Sequence, residues 1–206
     1  MFRYIGEKIG KGVGAGALIS IGCAVYLSST DKVVGAVLFA VALLAICYLG
    51  LNLYTGRVGF IAVKHDKEAF SELFLGLFGN VLGISVCGWL LSLALPNLQV
   101  AAQAAVSAKL GQKFFETLIR GAFCGILMYV AVAVFKNGKS PLGVLFAIPV
   151  FILSGFEHSI ADVGYFAIAF NASIEGFLFI MTVVLGNSVG SLFISFLANL
   201  KGEKTE

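Results

Sequence analysis

The chain has 206 residues, of which 59% are apolar and only 12% charged, with a mean hydropathy of +0.99. That composition excludes an ordinary soluble domain, where about 25% of residues are charged, and points to an integral membrane protein. The net charge of +3 is scattered over short loops, with no basic face carrying interleaved aromatics, which also excludes nucleic acid as a partner.

Apolar stretches of about 20 residues, the length that crosses the hydrocarbon core as a helix, run from Ile9 to Leu27, Val33 to Asn52, Leu73 to Leu95, Phe114 to Phe135, Leu142 to Phe170 and Gly176 to Leu200. Six transmembrane helices are predicted. The connections are too short for a soluble domain, so residues 1–206 read as a single membrane domain. Met1 to Lys11 forms a basic, Gly-rich lead into a stretch too long for a signal-peptide core, and the first span is expected to stay. Cys23, Cys47, Cys87 and Cys124 all fall inside spans without CxxC spacing, which suggests packing roles and neither a disulfide framework nor a zinc site.

Orientation follows from the basic residues. Arg3, Lys8, Lys11, Arg57, Lys64, Lys67, Lys136, Lys139, Lys201 and Lys204 fall on the side of the two termini, against Lys32, Lys109, Lys113 and Arg120 on the other. The excess puts both termini in the cytoplasm.

The chain also repeats itself. Lys11, Gly12, Gly16 and Leu18 align with Arg120, Gly121, Gly125 and Leu127; Leu53–Gly56 aligns with Ile152–Gly155; and Gly79, Asn80 and Gly83 align with Gly186, Asn187 and Gly190. Three matches in one order, at nearly constant offset, predict repeat halves at about 9–95 and 113–200. Because each half holds an odd number of spans, the halves are expected to be inverted relative to each other.

Two spans carry the marks of broken helices. In the second, Asn52 to Gly56 (NLYTG) sets polar residues and glycine at membrane depth; in the fifth, Pro149 precedes Ser154 to Asp162 (SGFEHSIAD). Non-helical backbone at that depth is tolerated where it is buried or lines a cavity, and ionisable residues there mark pathways. Glu157, His158 and Asp162 are therefore the functional candidates. His65, in a charged loop of Lys64 to Glu68, is not one. The two histidines sit on different elements, and no HExxH, GxSxG or paired-aspartate motif accompanies them, so an enzyme is not expected. An aquaporin-like channel for water or neutral solutes is the alternative reading, although none of its Asn-Pro-Ala motifs occurs.

SGFEHSIAD, NLYTG and the Gly-Asn pairs of the third and sixth spans resemble the formate/nitrite transporter family over about Gly12 to Leu197. That resemblance implies an all-α, aquaporin-like fold of six transmembrane helices with helices 2 and 5 broken. It implies homopentamers in the bacterial inner membrane with one pore per protomer, and no cofactor. The implied substrate is a small monovalent anion of a weak acid, formate foremost, with nitrite, hydrosulfide, acetate and lactate in the same class, moved passively or with a proton. Residue by residue, His158 resembles the central pore histidine, Glu157 its acidic neighbour and Thr55 the pore threonine. Leu53 and Tyr54 fall at the cytoplasmic constriction, Phe151 at the periplasmic one, and Asn187 beside the histidine with Asn80 as its repeat mate. Tyr54 replaces a common phenylalanine, Asp162 replaces a common asparagine, and little of the family's N-terminal amphipathic helix is present. A His158 that holds a positive charge or lends a proton would impose a pH dependence between about pH 5 and pH 8.

Overall fold

The computed structural model describes residues 2–200, so Lys201 and Lys204 of the charge asymmetry lie outside the described residues. Those residues are all-helical: α1 (Phe2–Ser28), α2 (Lys32–Leu49), a 3-10 turn (Val58–Ala62), α3 (Lys67–Ala94), α4 (Pro96–Leu110), α5 (Phe114–Gly138), α6 (Leu142–Leu153), α7 (Ser159–Ile168) and α8 (Ile174–Ala198). Five of them, α1, α2, α3, α5 and α8, are long and apolar enough to cross a bilayer. The chain is a multi-pass integral membrane protein.

Helix starts follow local chemistry. Asp31 caps α2 by accepting from the Val33 and Val34 N–H groups at 2.8 and 3.1 Å, and Ser173 caps α8 by accepting from Gly176. Asp66 caps α3 through the Ala69 N–H at 2.8 Å, and that bond holds its carboxyl below the usual carboxylate range. At the other end of α2, Gly50 adopts φ 64°, the left-handed conformation that closes a helix and that glycine takes without strain.

Four boundaries differ from those expected. The basic lead is not separate from the first span, because α1 is helical from Phe2 onward. The second span stops at Leu49, before Asn52. The interruption in the fifth span is shorter than Ser154 to Asp162, because α6 continues through Pro149 to Leu153 and α7 starts at Ser159, leaving Ser154 to His158, where Gly155 takes φ 70°. The stretch between the third and fourth spans is not a loop. It folds as α4, with Pro96 at its start and Leu98, Ala102 and Val106 buried at four-residue spacing.

The helices pack in a repeated scheme. α1 lies along α3, and α5 lies along α8. Both contacts are made by backbones meeting across glycine: a Cβ on Gly12 would lie 2.9 Å from Gly79 Cα, and one on Gly121 would lie 3.2 Å from Gly186 Cα. Such small-residue seams let membrane helices gain dispersion contact where no hydrophobic force separates them from lipid. α2 packs on α1 and α6, while α7 is surrounded by α3, α4, α1 and α8. The periphery is apolar, with Val37, Val41, Phe74, Phe78, Phe193 and Phe196 exposed to lipid or to a neighbouring chain. All four cysteines are free, Cys23 and Cys124 being buried.

Candidate functional site

The chain leaves helix twice inside the bundle, at Gly50 to Arg57 and at Ser154 to His158, and each departure strands backbone polar groups away from water. One asparagine repairs each. Asn80, on α3, accepts from the Tyr54 N–H at 2.8 Å and donates to the carbonyls of Gly12 and Asn52 at 2.9 and 2.7 Å. Asn187, on α8, accepts from the Ser159 N–H at 2.9 Å and donates to the carbonyls of Gly121 and Glu157, both at 2.8 Å. The two sets match partner for partner. They set Asn52 in register with Glu157 and Tyr54 with Ser159, which brings Leu53 into register with His158. The sequence alignment of Leu53 with Ile152 is corrected accordingly.

This geometry separates the asparagines from the other candidates. Both are 0% exposed, and each amide spends its two N–H donors and its oxygen on backbone. They hold the interruptions open and have no donor left for a solute.

Thr55 and His158 do meet. Thr55 Oγ1 lies 2.8 Å from His158 Nε2, while His158 Nδ1 accepts from the Ala161 N–H at 3.1 Å and so caps α7. Because a backbone N–H points at Nδ1, that nitrogen is an acceptor, and the ring proton sits on Nε2 and is donated to Thr55. The imidazole is neutral with both nitrogens committed. A second proton would have to displace the helix cap, which counters the expectation of a readily titrating His158. Phe151 stacks on the imidazole at 5.6 Å between centroids, and Phe39 meets Phe151 edge-on at 6.4 Å.

Two cavities approach this point. One, of about 180 Å³, is bounded by Leu53, Gly56, Arg57, Lys136 and Lys139; the other, of about 260 Å³, by Phe151, Glu157, His158, Asp162 and Lys109. Tyr54 lies beside Leu53, and its hydroxyl bonds Ser188 Oγ at 2.7 Å. Asn52 Nδ2 and Ser159 Oγ, one in each interruption, are buried without a hydrogen-bond partner among the described residues.

Glu157 does not stand alone beside the histidine. Its carboxylate bonds Lys109 Nζ and accepts from Gln112 Nε2 at 2.6 Å, and the same ammonium lies 2.8 Å from Asp162 Oδ1. Lys109 Nζ also sits over the Tyr165 ring, 5.2 Å from its centroid. Sequence reasoning used Lys109 only as a topological charge and gave Gln112 no role. The spacing of Leu98, Ala102 and Val106 would have revealed the helix that delivers both.

The sequence profile described as "Formate/nitrite transporter" matches residues 3–200. The chain belongs to the formate/nitrite transporter family. Among curated relatives, it is 26% identical over 173 residues to the formate channel FocA of Escherichia coli K12, covering 72% of this chain and 61% of that protein. To FocA of Haemophilus influenzae it is 25% identical over 179 residues, covering 74% of this chain and 62% of that one. The chain thus spans under two thirds of the length of these relatives. Its fold is that of two solved structures, each 21% identical. A pentameric formate channel with formate bound aligns with TM-score 0.77, covering 97% of this chain and 99% of that one. An FNT family ion channel aligns with TM-score 0.81, covering 96% and 89%.

Proposed function

We propose that this member of the formate/nitrite transporter family is a pathway for small monovalent anions of weak acids, with formate the principal substrate and nitrite, hydrosulfide, acetate and lactate in the same class. The observation that carries this reading is the Thr55–His158 hydrogen bond, made where two interrupted segments meet between two cavities. Formate enters the reading from the curated relatives, which are formate channels. The fold is read as an inverted repeat of three plus three spans in one membrane domain, with α6 and α7 together making the fifth of six crossings. Each protomer holds one pore, five protomers assemble through the apolar periphery, and the protein sits in the bacterial inner membrane with both termini in the cytoplasm.

In this mechanism Arg57, Lys136 and Lys139 gather anions into the first cavity. Leu53 and Phe151 form apolar constrictions on either side of the Thr55–His158 bond. A bare anion in an apolar ring loses hydration worth several kcal/mol, whereas the neutral acid loses far less. Passage is driven by gradients alone, passively or with a proton.

The test is a light-scattering assay on proteoliposomes. Recovery of volume in a formate salt should run far faster than in protein-free liposomes, with no matching acceleration in an uncharged osmolyte. Equal acceleration for both solutes would favour a neutral-solute channel.

A further inference from the structure

The second cavity holds a charge imbalance. Lys109 is a single ammonium facing two carboxylates, Glu157 and Asp162, whose side chains are 5% and 1% exposed. Glu157 is satisfied at both oxygens, by Lys109 and by Gln112. Asp162 is not: Oδ1 meets Lys109, but Oδ2 is buried with no hydrogen-bond partner. Asp162 stands where the family resemblance implies an asparagine. A buried polar atom left unpaired is costly and calls for a ligand.

The surrounding groups do not remove the imbalance. On α5, Arg120 reaches the cavity wall but pairs with Glu116 at 2.5 Å and donates to the Gly155 carbonyl, and Cys124 is a free, buried cysteine. On α1, Tyr26 borders the cavity and Cys23 Sγ donates to the Ala161 carbonyl. From the α7 side come Tyr165 and His158, the latter neutral with both nitrogens engaged. No ionisable side chain of α3 or α8 borders the cavity among the described residues. With both carboxylates ionised the cluster carries a net negative charge where an anion must pass, and like charge at close range in a poorly solvated cavity repels it.

We propose that Asp162 is the proton-holding group of this pathway, a proposal that rests on the anion-pathway reading above. Asp162, on the cavity wall, takes a proton from water on Oδ2, which cancels the excess negative charge of the cluster and turns the unpartnered oxygen into an O–H donor. The proton then passes from Oδ2 to a formate oxygen. Formic acid leaves through the apolar constriction, and Asp162 remains as a carboxylate held by Lys109 until water on the same side returns a proton to it. No other reactant is needed, and formate releases the proton again on the far side. Formate and proton therefore move together.

The experiment uses proteoliposomes of the full chain, with an internal pH-sensitive dye and the membrane potential set by potassium and valinomycin. The wild type should acidify the lumen in step with formate entry, and reversing the potential should leave the rate nearly unchanged. Asp162→Asn keeps the shape and the Lys109 contact but cannot hold the proton. In that variant, acidification per formate should fall about tenfold or more, and formate should set a potential approaching ~59 mV per tenfold gradient, the slope for one charge. Asp162→Ser serves the same purpose should the asparagine variant not assemble. If neither assembles, the wild type decides alone, because a formate flux driven by potential without acidification overturns the proposal. Proton coupling that survives in Asp162→Asn also overturns it while leaving the anion pathway intact. A wild type that moves neither formate, nitrite, acetate nor hydrosulfide removes both.

Discussion

Thr55 Oγ1 and His158 Nε2, 103 residues apart in the chain, are 2.8 Å apart in space. The contact ties the two interrupted segments together, with His158 on the wall of one cavity and Leu53 and Gly56, on either side of Thr55, on the wall of the other. It also fixes the tautomer of the imidazole, whose other nitrogen is consumed by the Ala161 N–H. The site is thus held by a neutral histidine between a hydroxyl and a helix cap.

His158→Asn tests that assignment. Asparagine is a good N-cap and can accept from Ala161, but its shorter side chain gives up Thr55. Formate flux per assembled oligomer should fall, while its pH profile keeps the wild-type form, because the residue removed was not titrating. A profile that flattens between about pH 5 and pH 8 would restore a titrating histidine. Uptake measured across that range in matched proteoliposomes decides between them.

Asn80 and Asn187 are predicted to matter for stability before they matter for conduction. Asn187→Ala would orphan the buried Ser159 N–H and Glu157 carbonyl and strip the Gly121 carbonyl of its second donor. Each buried group left unpaired costs about 1–3 kcal/mol, so a loss of ~2 kcal/mol or more is expected. Asn80→Ala should behave alike. Thermal unfolding of the purified protein in mild detergent checks this, with Thr182→Ala as the comparison, since that exposed hydroxyl only bonds back to Leu178. A melting curve for Asn187→Ala like that of Thr182→Ala would show that the amide braces nothing.

Selectivity is expected to reside in the constrictions. Leu53→Ala or Phe151→Ala removes apolar bulk beside the Thr55–His158 bond, lowering the steric barrier most for the larger solute. The ratio of lactate to formate flux should rise severalfold in both variants. Lys67→Ala, at the exposed start of α3, should leave it unchanged. Equal shifts in all three variants would detach selectivity from this site.

Much of this arrangement was legible because the bilayer makes irregularity expensive. Gly12, Gly79, Gly121 and Gly186 stood out by spacing and prove to be where backbones touch. Glycine, asparagine and histidine inside apolar runs likewise had few innocent explanations, so Asn80, Asn187 and His158 could be picked out from sequence, whereas Thr55 came from the family resemblance. What each does depends on which atoms meet, and spacing does not encode that: the asparagines grip backbone, and the histidine caps a helix. α4 was missed for a different reason. At 15 residues, with low overall apolarity, it does not register as a span, and so Lys109, the partner of Glu157 and Asp162, stayed hidden among the loop charges.

The central claim is that anions pass where Thr55 meets His158, and Thr55→Val tests it most directly. Valine keeps nearly the same shape, leaves the histidine N–H without its acceptor, and removes the hydroxyl from the boundary between the cavities. Formate uptake should be measured by stopped flow in proteoliposomes carrying equal numbers of assembled oligomers of wild type and variant. The account predicts wild-type uptake far above that of protein-free liposomes and a drop of about tenfold in Thr55→Val, the rate equivalent of ~1.4 kcal/mol. Uptake by Thr55→Val equal to that of the wild type would contradict it.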